Sequence, residues 1–345
     1  MSGRRAKRAQ FRRRAAAPAP SPSSSSATRI RASHPEDLLA LVPYLLGFHP
    51  EDSVVAVMVR SGRVALTARI DLPGADHASA LAQELESLAN QHRASEMVVI
   101  GYGGDSARLV LDRLVAELPR VVLADALYVD GTRWFSLTCT KGCCPTEGRP
   151  YAVDAHRLAA EAVFAGMTVR GTRAELAELV VGPTAADADR LELMAAEILS
   201  GVLTLTQSQA EFWVETSVCA GVEGEALDED DLLRLAALVK DVSLRDRAWA
   251  LIGRESAAAH RQLWADVVAV TPPSLAAAPL CLLGLSAWIS GDGALQNCCV
   301  ERLEKLDPGY SLGILLSDIS ARALSPALWD QIRVELRAEL GALAG

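Results

Sequence analysis

The pattern of apolar residues changes once along this chain, close to Pro150. Before that point, short valine-rich runs alternate with stretches of helical spacing, and after it only the helical spacing continues. Alternating strands and helices are typical of a sheet covered by helices, whereas consecutive helices form an all-helical unit. The sequence therefore predicts an α+β domain, a mixed sheet with helical cover, at residues 29–150. An all-α, repeat-like domain is predicted at residues 151–345.

The predicted sheet consists of two hairpins and one further strand. The hairpins are predicted at residues 53–59 with 64–70 and at residues 121–129 with 132–138. The second hairpin turns at Asp130-Gly131, a strong two-residue turn signal, and a short buried strand is predicted at residues 97–100. Helical spacing falls at residues 37–46, 76–93 and 106–118. The order α-β-β-α-β-α-β-β mixes hairpins with crossover helices, which favours a mixed sheet.

Capping residues predict where the helices begin. Ser33 with Glu36 and Thr172 with Glu175 have the spacing of capping boxes, and residues 184–203 can form one long helix. Further helix starts are predicted at Asp228, Ser243, Ser256, Ser274 and Ser325.

One predicted helical hairpin, at residues 280–315, resembles a tetratricopeptide repeat. The resemblance lies in the apolar residue before Gly284, the Gly291-Asp292 turn and Pro308, which fall at the intervals of that motif. No second repeat follows in register. Repeat-like helical hairpins can present a groove to a partner, so we expect a protein partner on the helical domain.

The first 28 residues are basic and low in complexity. They contain seven Lys or Arg and no acidic residue, so that residues 29–345 carry a net charge near −16 against −9 for the whole chain. Such composition predicts a disordered tail. An acidic body repels nucleic acid and anionic membranes, so nucleic-acid contact is expected only through the tail, if at all. The alternative is a solubilising tail.

Several features bear on the compartment. The apolar stretch at residues 275–289 is broken by Pro279 and Gly284 and is shorter than the roughly 20 residues that span a membrane. The tail lacks the apolar segment of a secretory signal. Seven unevenly spaced cysteines do not suggest a secreted disulfide framework. We expect a cytoplasmic protein without membrane association.

Three cysteines within six residues form the candidate metal site. Cys139, Cys143 and Cys144 follow the second hairpin, and thiolates are preferred ligands of zinc. A fourth ligand would have to come from Glu147, His156 or a distant cysteine. Redox chemistry and a purely structural turn with partly buried thiols are the alternatives. No other cofactor is expected.

A glycine-rich segment forms a second candidate site. Gly101, Gly103, Gly104 and Asp105 are predicted to form a turn between a strand and a helix. Backbone amides at a helix N-terminus can hold a phosphate, so these residues are a candidate ligand site. The Gly-x-Gly-x-x-Gly spacing is not fulfilled, and a tight connection capped by Asp105 or Ser106 explains the same residues.

No catalytic residue is assigned from the sequence. His49 lies beside Glu51 and Asp52 and could serve acid–base chemistry, although a loop histidine is usually solvated. The acidic run at residues 228–231 suits a metal or, more simply, a helix N-terminus. Nucleophile elbows, zinc-protease motifs, Walker loops and kinase motifs are missing from the sequence. We therefore lean towards a protein that is not an enzyme.

Three stretches of the chain resemble an actinobacterial family known as domain of unknown function 4192. They are residues 41–53, which contain Leu-Val-Pro-Tyr-Leu-Leu-Gly-Phe, the block from Trp134 through the three cysteines to Pro150, and residues 287–312, which contain Ala-Trp and later Asp-Pro-x-Tyr-Ser-Leu. The resemblance implies an intracellular bacterial protein and carries over no activity. It also suggests that the cysteine block and the tryptophan hairpin belong to one design.

Taken together, the sequence predicts a non-catalytic interaction or regulatory protein. The alternative is a small-molecule-binding or enzymatic α/β domain that uses the loops at residues 47–53, 101–105 and 139–148. That alternative requires the three loops to meet in one pocket.

Overall fold

A computed structural model describes residues 30–118, 123–140, 142–153, 155–165, 167 and 169–343, so the predicted tail at residues 1–28 lies outside the described residues. The strands are β1 (Ser53–Arg60), β2 (Arg63–Asp71), β3 (Glu96–Tyr102), β4 (Leu123–Val129), β5 (Arg133–Ser136) and β6 (Arg149–Pro150). They form one sheet in the order β2-β1-β3-β4-β5-β6. The β3–β4 pair is parallel and the other pairs are antiparallel, which confirms a mixed sheet.

Both predicted hairpins are confirmed. The first turns at Ser61 and Gly62, whose φ angles of 53° and 70° are the left-handed values that a two-residue hairpin needs. In the second, the Asp130 carboxylate accepts hydrogen bonds from the backbone N–H groups of Thr132 and Arg133 at 2.8 and 2.7 Å. This local bonding explains why Asp-Gly marks the turn.

Three helices accompany the sheet: α1 (Pro35–Leu46), α2 (Ala78–Gln91) and α3 (Asp105–Glu117). Successive residues along the strands belong alternately to two buried clusters, one on each face of the sheet. Val54, Ala56 and Met58 pack with α2 and α3. Val55 and Val57 share the other cluster with α1 and with helices of the C-terminal part. Since β1 is buried on both faces, its near-continuous apolar sequence is explained.

The glycine-rich segment differs from its prediction. Gly101 and Tyr102 belong to β3 and pair with Val54 and Ser53 of β1, so the predicted turn is shorter than expected. A Cβ atom on Gly101 would lie 3.4 Å from the carbonyl oxygen of Ala107, and this glycine therefore allows α3 to pack closely over the strand.

After β6 the described residues contain helices and no further strand, apart from a single bridge between Phe48 and Arg170. These helices are α4 (Arg157–Phe164), α5 (Arg173–Glu178), α6 (Ala185–Val202), α7 (Gln207–Glu223), α8 (Glu229–Leu238), α9 (Val242–Leu251), α10 (Ala257–Val270), α11 (Ala277–Ser290), α12 (Gly293–Leu306), α13 (Ser311–Ala321) and α14 (Trp329–Leu343). The predicted fold class is thereby confirmed. No helix of the described residues is long and apolar enough to cross a membrane.

Some predicted helix starts are confirmed and others are displaced. Asp228 caps α8 through its side chain, as predicted. For α9 the cap is Asp241, not Ser243, because the Asp241 carboxylate accepts from the N–H groups of Ser243 and Leu244. The Ser274 prediction was also wrong, since that residue lies in a 3₁₀ turn and α11 begins at Ala277.

Of the two predicted capping boxes, the first is shifted by one residue and the second is half-formed. At α1 the cap position is His34, and the Asp37 carboxylate accepts from the N–H groups of Ser33 and His34. At α5 the Thr172 hydroxyl accepts from the Glu175 N–H as predicted, but the Glu175 carboxylate accepts from another residue, Gly171.

Helices α11 and α12 form the predicted helical hairpin. Gly291 ends α11 at a φ of 85°, and Asp292 caps α12 through the Leu295 N–H. A Cβ on Gly284 would lie 3.1 Å from the Cβ of Cys299, so Gly284 lets the two helices approach. Twelve of the fourteen α11 residues are buried, which makes this hairpin core. Its likeness to a tetratricopeptide repeat stays a prediction.

One apolar cluster runs through both halves of the chain. It joins Phe48 and Leu127 from the N-terminal half to Trp264, Leu283 and Trp329 from the helical half. The division into domains at residues 29–150 and 151–345 therefore stays a prediction, while the change from sheet to helices near Pro150 is observed.

Candidate metal centre

Three thiols meet in the loop between β5 and β6. The Sγ atoms of Cys139, Cys143 and Cys144 all lie within 4.8 Å of one another, and those of Cys139 and Cys143 are 3.3 Å apart. Cys139 and Cys144 are half-buried and Cys143 is exposed. We call these three residues the thiol cluster.

The loop that carries the thiol cluster is anchored to β5. Arg133 donates from Nε to the carbonyl oxygen of Glu147 at 2.7 Å and from Nη2 to that of Gly148 at 3.0 Å. Gly148 has a φ of 73°, and a Cβ there would lie only 2.5 Å from the Cε1 atom of Phe135. The loop thus returns tightly against β5 before β6 begins.

Arg149 connects the loop to the first helix. Its Nη1 atom lies 3.1 Å from Oε1 of Glu36 in the first turn of α1, and its Nη2 atom donates to the carbonyl oxygen of Cys143, also at 3.1 Å. One guanidinium group therefore joins β6, α1 and the thiol cluster.

The thiol cluster lines a cleft of about 420 Å³. The other side chains around the cleft come from three places in the fold, the N-terminus of α1 (His34, Pro35, Glu36), the start of β4 (Ala124, Asp125) and the segment from β5 to β6 (Trp134, Ser136, Thr138, Thr140, Arg149). The carboxylate of Asp125 is fixed there, since its Oδ1 accepts from the hydroxyl groups of Ser136 and Thr138 at 2.7 and 2.6 Å. His34, Asp125 and Arg149 were not predicted as site residues, because they come from distant parts of the chain.

The environment of the thiol cluster keeps the Cys144 thiol in its neutral form. Burial raises the pKa of the Cys144 thiol to about 11, and the neighbouring Cys139 and Cys143 act in the same direction. A reactive cysteine needs the opposite, a lowered thiol pKa. A metal ion deprotonates the thiols that coordinate it, and its positive charge offsets the repulsion among three neighbouring thiolates. The arrangement could therefore hold a metal ion.

The fourth ligands predicted from the sequence lie elsewhere. His156 caps α4, accepting from the Leu158 N–H at its Nδ1, and its Nε2 lies 3.5 Å from Oδ1 of Asp37. The Glu147 side chain pairs with the Thr146 hydroxyl at 3.4 Å. Neither His156 nor Glu147 lines the cleft. In the described part of the chain, no fourth Cys, His, Asp or Glu joins the group of donor atoms. The other cysteines belong to helices of the C-terminal half.

The glycine-rich site is arranged differently. Gly103, at a φ of 134°, donates to the carbonyl oxygen of Val129. Gly104 is the N-cap of α3 and Asp105 its first residue, without the predicted side-chain cap. An Asp52 carboxylate oxygen lies 2.8 Å from where a Cβ on Gly103 would stand. This negative charge disfavours a phosphate beside the helix N-terminus, and ligand binding at residues 101–105 stays a prediction.

The three loops of the alternative function do not meet. Asp52 and Gly103 bring the loops at residues 47–53 and 101–105 together at the end of β4, beside Val129. The thiol cluster lies beside Ala124 and Asp125, at the start of the same strand. No residue of the loops at 47–53 and 101–105 lines the cleft of the thiol cluster. One pocket that uses all three loops is therefore not formed.

The acidic run of α8 is engaged in helix contacts. Asp228 is the cap, Glu229 pairs with Arg190 of α6, and Asp230 pairs with Arg234 one turn later. These contacts fit the helix-terminus interpretation of residues 228–231.

The fold and the thiol cluster together place this chain in the class of α+β proteins. It combines a mixed six-stranded sheet with a helical C-terminal half and carries a cysteine site beside the first helix. The chain belongs to the family described as Domain of unknown function (DUF4192), which matches residues 35–327. Neither the curated proteins nor the solved structures contained a match.

Proposed function

We propose that this protein is a non-catalytic regulatory protein that holds a zinc ion at the thiol cluster. The observation that carries the proposal is the mutual approach of three Sγ atoms within 4.8 Å. Zinc–sulfur bonds of about 2.3 Å in a tetrahedron place sulfur atoms roughly 3.8 Å apart. The three thiols of the described loop thus need to move by only about an ångström to bind.

The donor set favours zinc over other ions. Thiolates select zinc, copper(I) and iron–sulfur clusters, and such clusters usually require four cysteines. Zinc accepts three cysteines with a histidine or a water molecule in the fourth position. His34 and solvent in the cleft are the candidates for that position. Bound zinc would fasten the β5–β6 loop beside α1, through the contacts of Arg149.

The test is the zinc content of the full-length protein purified without chelators. We expect one zinc ion per chain for the wild type and a loss of zinc in Cys139→Ser, Cys143→Ser and Cys144→Ser. The matched control is Cys219→Ser, because Cys219 is exposed on α7, away from the cleft. A wild-type protein that stays free of zinc after incubation with zinc would contradict the proposal.

A second role rests on a separate observation in the helical half. Three large apolar side chains of α6, α7 and the connection between them are exposed, namely Leu193 (71%), Leu203 (85%) and Phe212 (70%). Exposed apolar groups of this size are typical of interaction surfaces when they are contiguous. We propose that this segment contacts a protein partner, in keeping with a regulatory role.

This second role is tested with the full-length protein as bait in a cross-linking experiment. A partner bound by wild type and by Cys219→Ser, but lost with Leu203→Glu/Phe212→Glu, is the expected result. Equal recovery by the double variant would remove this surface from the proposal.

A further inference from the structure

Two of the three thiols are placed to react with each other. The Sγ atoms of Cys139 and Cys143 lie 3.3 Å apart, and a disulfide needs a separation of about 2.05 Å. Gly142, directly before Cys143, has a φ of 68°, and no atom lies within 4 Å of where its Cβ would stand, so the loop has room to adjust there. A movement of roughly 1.3 Å is enough for a bond.

Two other pairings exist within the thiol cluster, and the one between neighbouring residues is less favourable. A disulfide between the adjacent residues Cys143 and Cys144 would close an eight-membered ring that includes their peptide bond. Such a ring forces the planar peptide and the disulfide dihedral away from their preferred values. Cys144 is half-buried, whereas Cys143 is exposed to a soluble oxidant.

We propose that Cys139 and Cys143 form a reversible disulfide that competes with the metal ion, so that oxidation releases the metal. The inference rests on the proposed zinc site and adds its regulation. The oxidant is a peroxide. Loss of two of three thiolates leaves Cys144 alone, and one thiolate does not retain zinc against water.

The chemistry proceeds in two steps. The Cys143 thiolate attacks one oxygen of hydrogen peroxide, the O–O bond breaks, and the products are a sulfenic acid and, after protonation, water. The Cys139 thiolate then attacks the Cys143 sulfur, the S–OH bond breaks, and hydroxide leaves as a second water after protonation. In sum, two thiols are oxidised by two electrons and one peroxide is reduced to two waters. A dithiol reductant reverses the reaction.

The oxidised bond would also change the contacts of the loop. Arg149 bonds the carbonyl oxygen of Cys143 and, through its other nitrogen, Glu36 of α1. A shift of Cys143 towards Cys139 therefore alters a contact that reaches the first helix. The oxidation state of Cys139 and Cys143 would in this way affect a contact of α1, outside the loop.

The experiment uses zinc-loaded full-length protein treated with increasing amounts of hydrogen peroxide. Released zinc, remaining thiols and unreduced tryptic peptides are measured. Trypsin cuts after Lys141, so the Cys139–Cys143 disulfide joins two peptides, residues 134–141 and 142–157. A Cys143–Cys144 disulfide would stay within the second peptide. A Cys139–Cys144 disulfide would join the same two peptides but would persist in Cys143→Ser. A parallel sample is made metal-free with a chelator before oxidation.

We expect one zinc released and two thiols lost per chain, together with the joined peptides, all reversed by dithiothreitol. Cys219→Ser should behave like the wild type. In the metal-free sample, Cys144→Ser should still give joined peptides, and Cys139→Ser and Cys143→Ser should give none.

The possible failures are distinguishable. If zinc binds but peroxide gives no joined peptides, or only the disulfide within one peptide, the redox inference is overturned and the zinc site stands. If no zinc binds, the proposed zinc site is overturned, and joined peptides from the metal-free sample would still support the disulfide.

Discussion

Arg149 donates a hydrogen bond of 3.1 Å from Nη2 to the carbonyl oxygen of Cys143. The same guanidinium group reaches Glu36 at 3.1 Å, so the thiol loop is held to the first turn of α1 by one side chain. The two contacts differ in sequence separation, since Cys143 is a near neighbour of Arg149 and Glu36 lies over a hundred residues away. The position of the thiol cluster therefore depends on the tertiary fold as well as on the loop.

The first prediction concerns this link. Arg149→Gln removes both contacts, and we expect zinc affinity to fall roughly 10-fold, the lower range for groups that orient metal ligands. Stability should fall by less than about 1 kcal/mol, because both side chains of the ion pair are more than a third exposed. Competition with a chromophoric chelator measures the affinity. Arg157→Gln, which removes an α4 surface pair with Glu161, is the control, and equal affinities of the two variants would contradict the prediction.

The second prediction compares two glycines of the loop. Gly142 and Gly148 both have positive φ, at 68° and 73°, but only a Cβ on Gly148 would collide with Phe135. The Phe135 ring is stacked on Tyr128 at 5.6 Å and cannot yield freely. Gly142→Ala should cost about 1 kcal/mol for the left-handed backbone, and Gly148→Ala about 2–3 kcal/mol with the added strain of overpacking.

Urea unfolding of the metal-free protein measures both variants. Gly142→Ala is the matched control, because it measures the cost of the left-handed backbone without the collision with Phe135. Equal midpoints for the two variants would show that Phe135 moves aside without penalty.

Much of the fold follows from local patterns in the sequence. Valine-rich runs with Asp-Gly or Ser-Gly between them form hairpins, because the turn geometry and the burial of both faces agree. A strand that forms only because a neighbouring strand pairs with it was not predicted. β6 consists only of Arg149 and Pro150 and is a strand solely because it pairs with Arg133 and Trp134.

The candidate site shows the same division. Three thiols within six residues predict their own proximity, and the structure brings them together. The other residues that line the cleft are brought to the thiols by the order of the strands in the sheet. The loops at residues 47–53 and 101–105 contribute no residue to the cleft, and this depends on the sheet order, which the sequence did not predict. The residues of α1 that line the cleft, His34 and Glu36, are placed there by long-range packing.

The third prediction concerns the attachment of the last helix. Trp329 is fully buried at the start of α14, stacks on Trp249 at 5.5 Å and donates from Nε1 to the carbonyl oxygen of Ile252 at 2.8 Å. Later residues of α14 such as Val334 are exposed. Trp329→Ala should therefore destabilise the protein by about 3–5 kcal/mol. Trp329→Phe keeps an aromatic ring and should lose only about 1–2 kcal/mol with the hydrogen bond.

Hydrogen exchange of α14 and α9 distinguishes local from global effects. We expect faster exchange in α14 of Trp329→Ala before the rest of the helical half unfolds. Unchanged protection of α14 in that variant would mean that other contacts, such as Arg333 with the carbonyl oxygen of Ala250, suffice to hold the helix.

The last prediction is a pH dependence that arises at His260 in α10. Burial lowers the pKa of His260 to about 4. A hydrogen bond with the backbone of Leu251 acts in the opposite direction, and the charge of Arg333 adds to the lowering. The unfolded chain has the ordinary histidine pKa of about 6.5, so it binds the proton more tightly than the folded protein does. The stability contribution is complete above pH 6.5 and is lost as the pH falls from 6.5 towards 4.

For His260 alone, this linkage amounts to about 2 kcal/mol between pH 7 and pH 5. Unfolding free energies measured at both pH values should fall by that much more in the wild type than in His260→Gln, which cannot titrate. His77→Gln is the control, because it removes a histidine whose side chain is 69% exposed. If wild type and His260→Gln lose stability in parallel, His260 does not stay neutral in the folded core, and α10 must admit a charged imidazole.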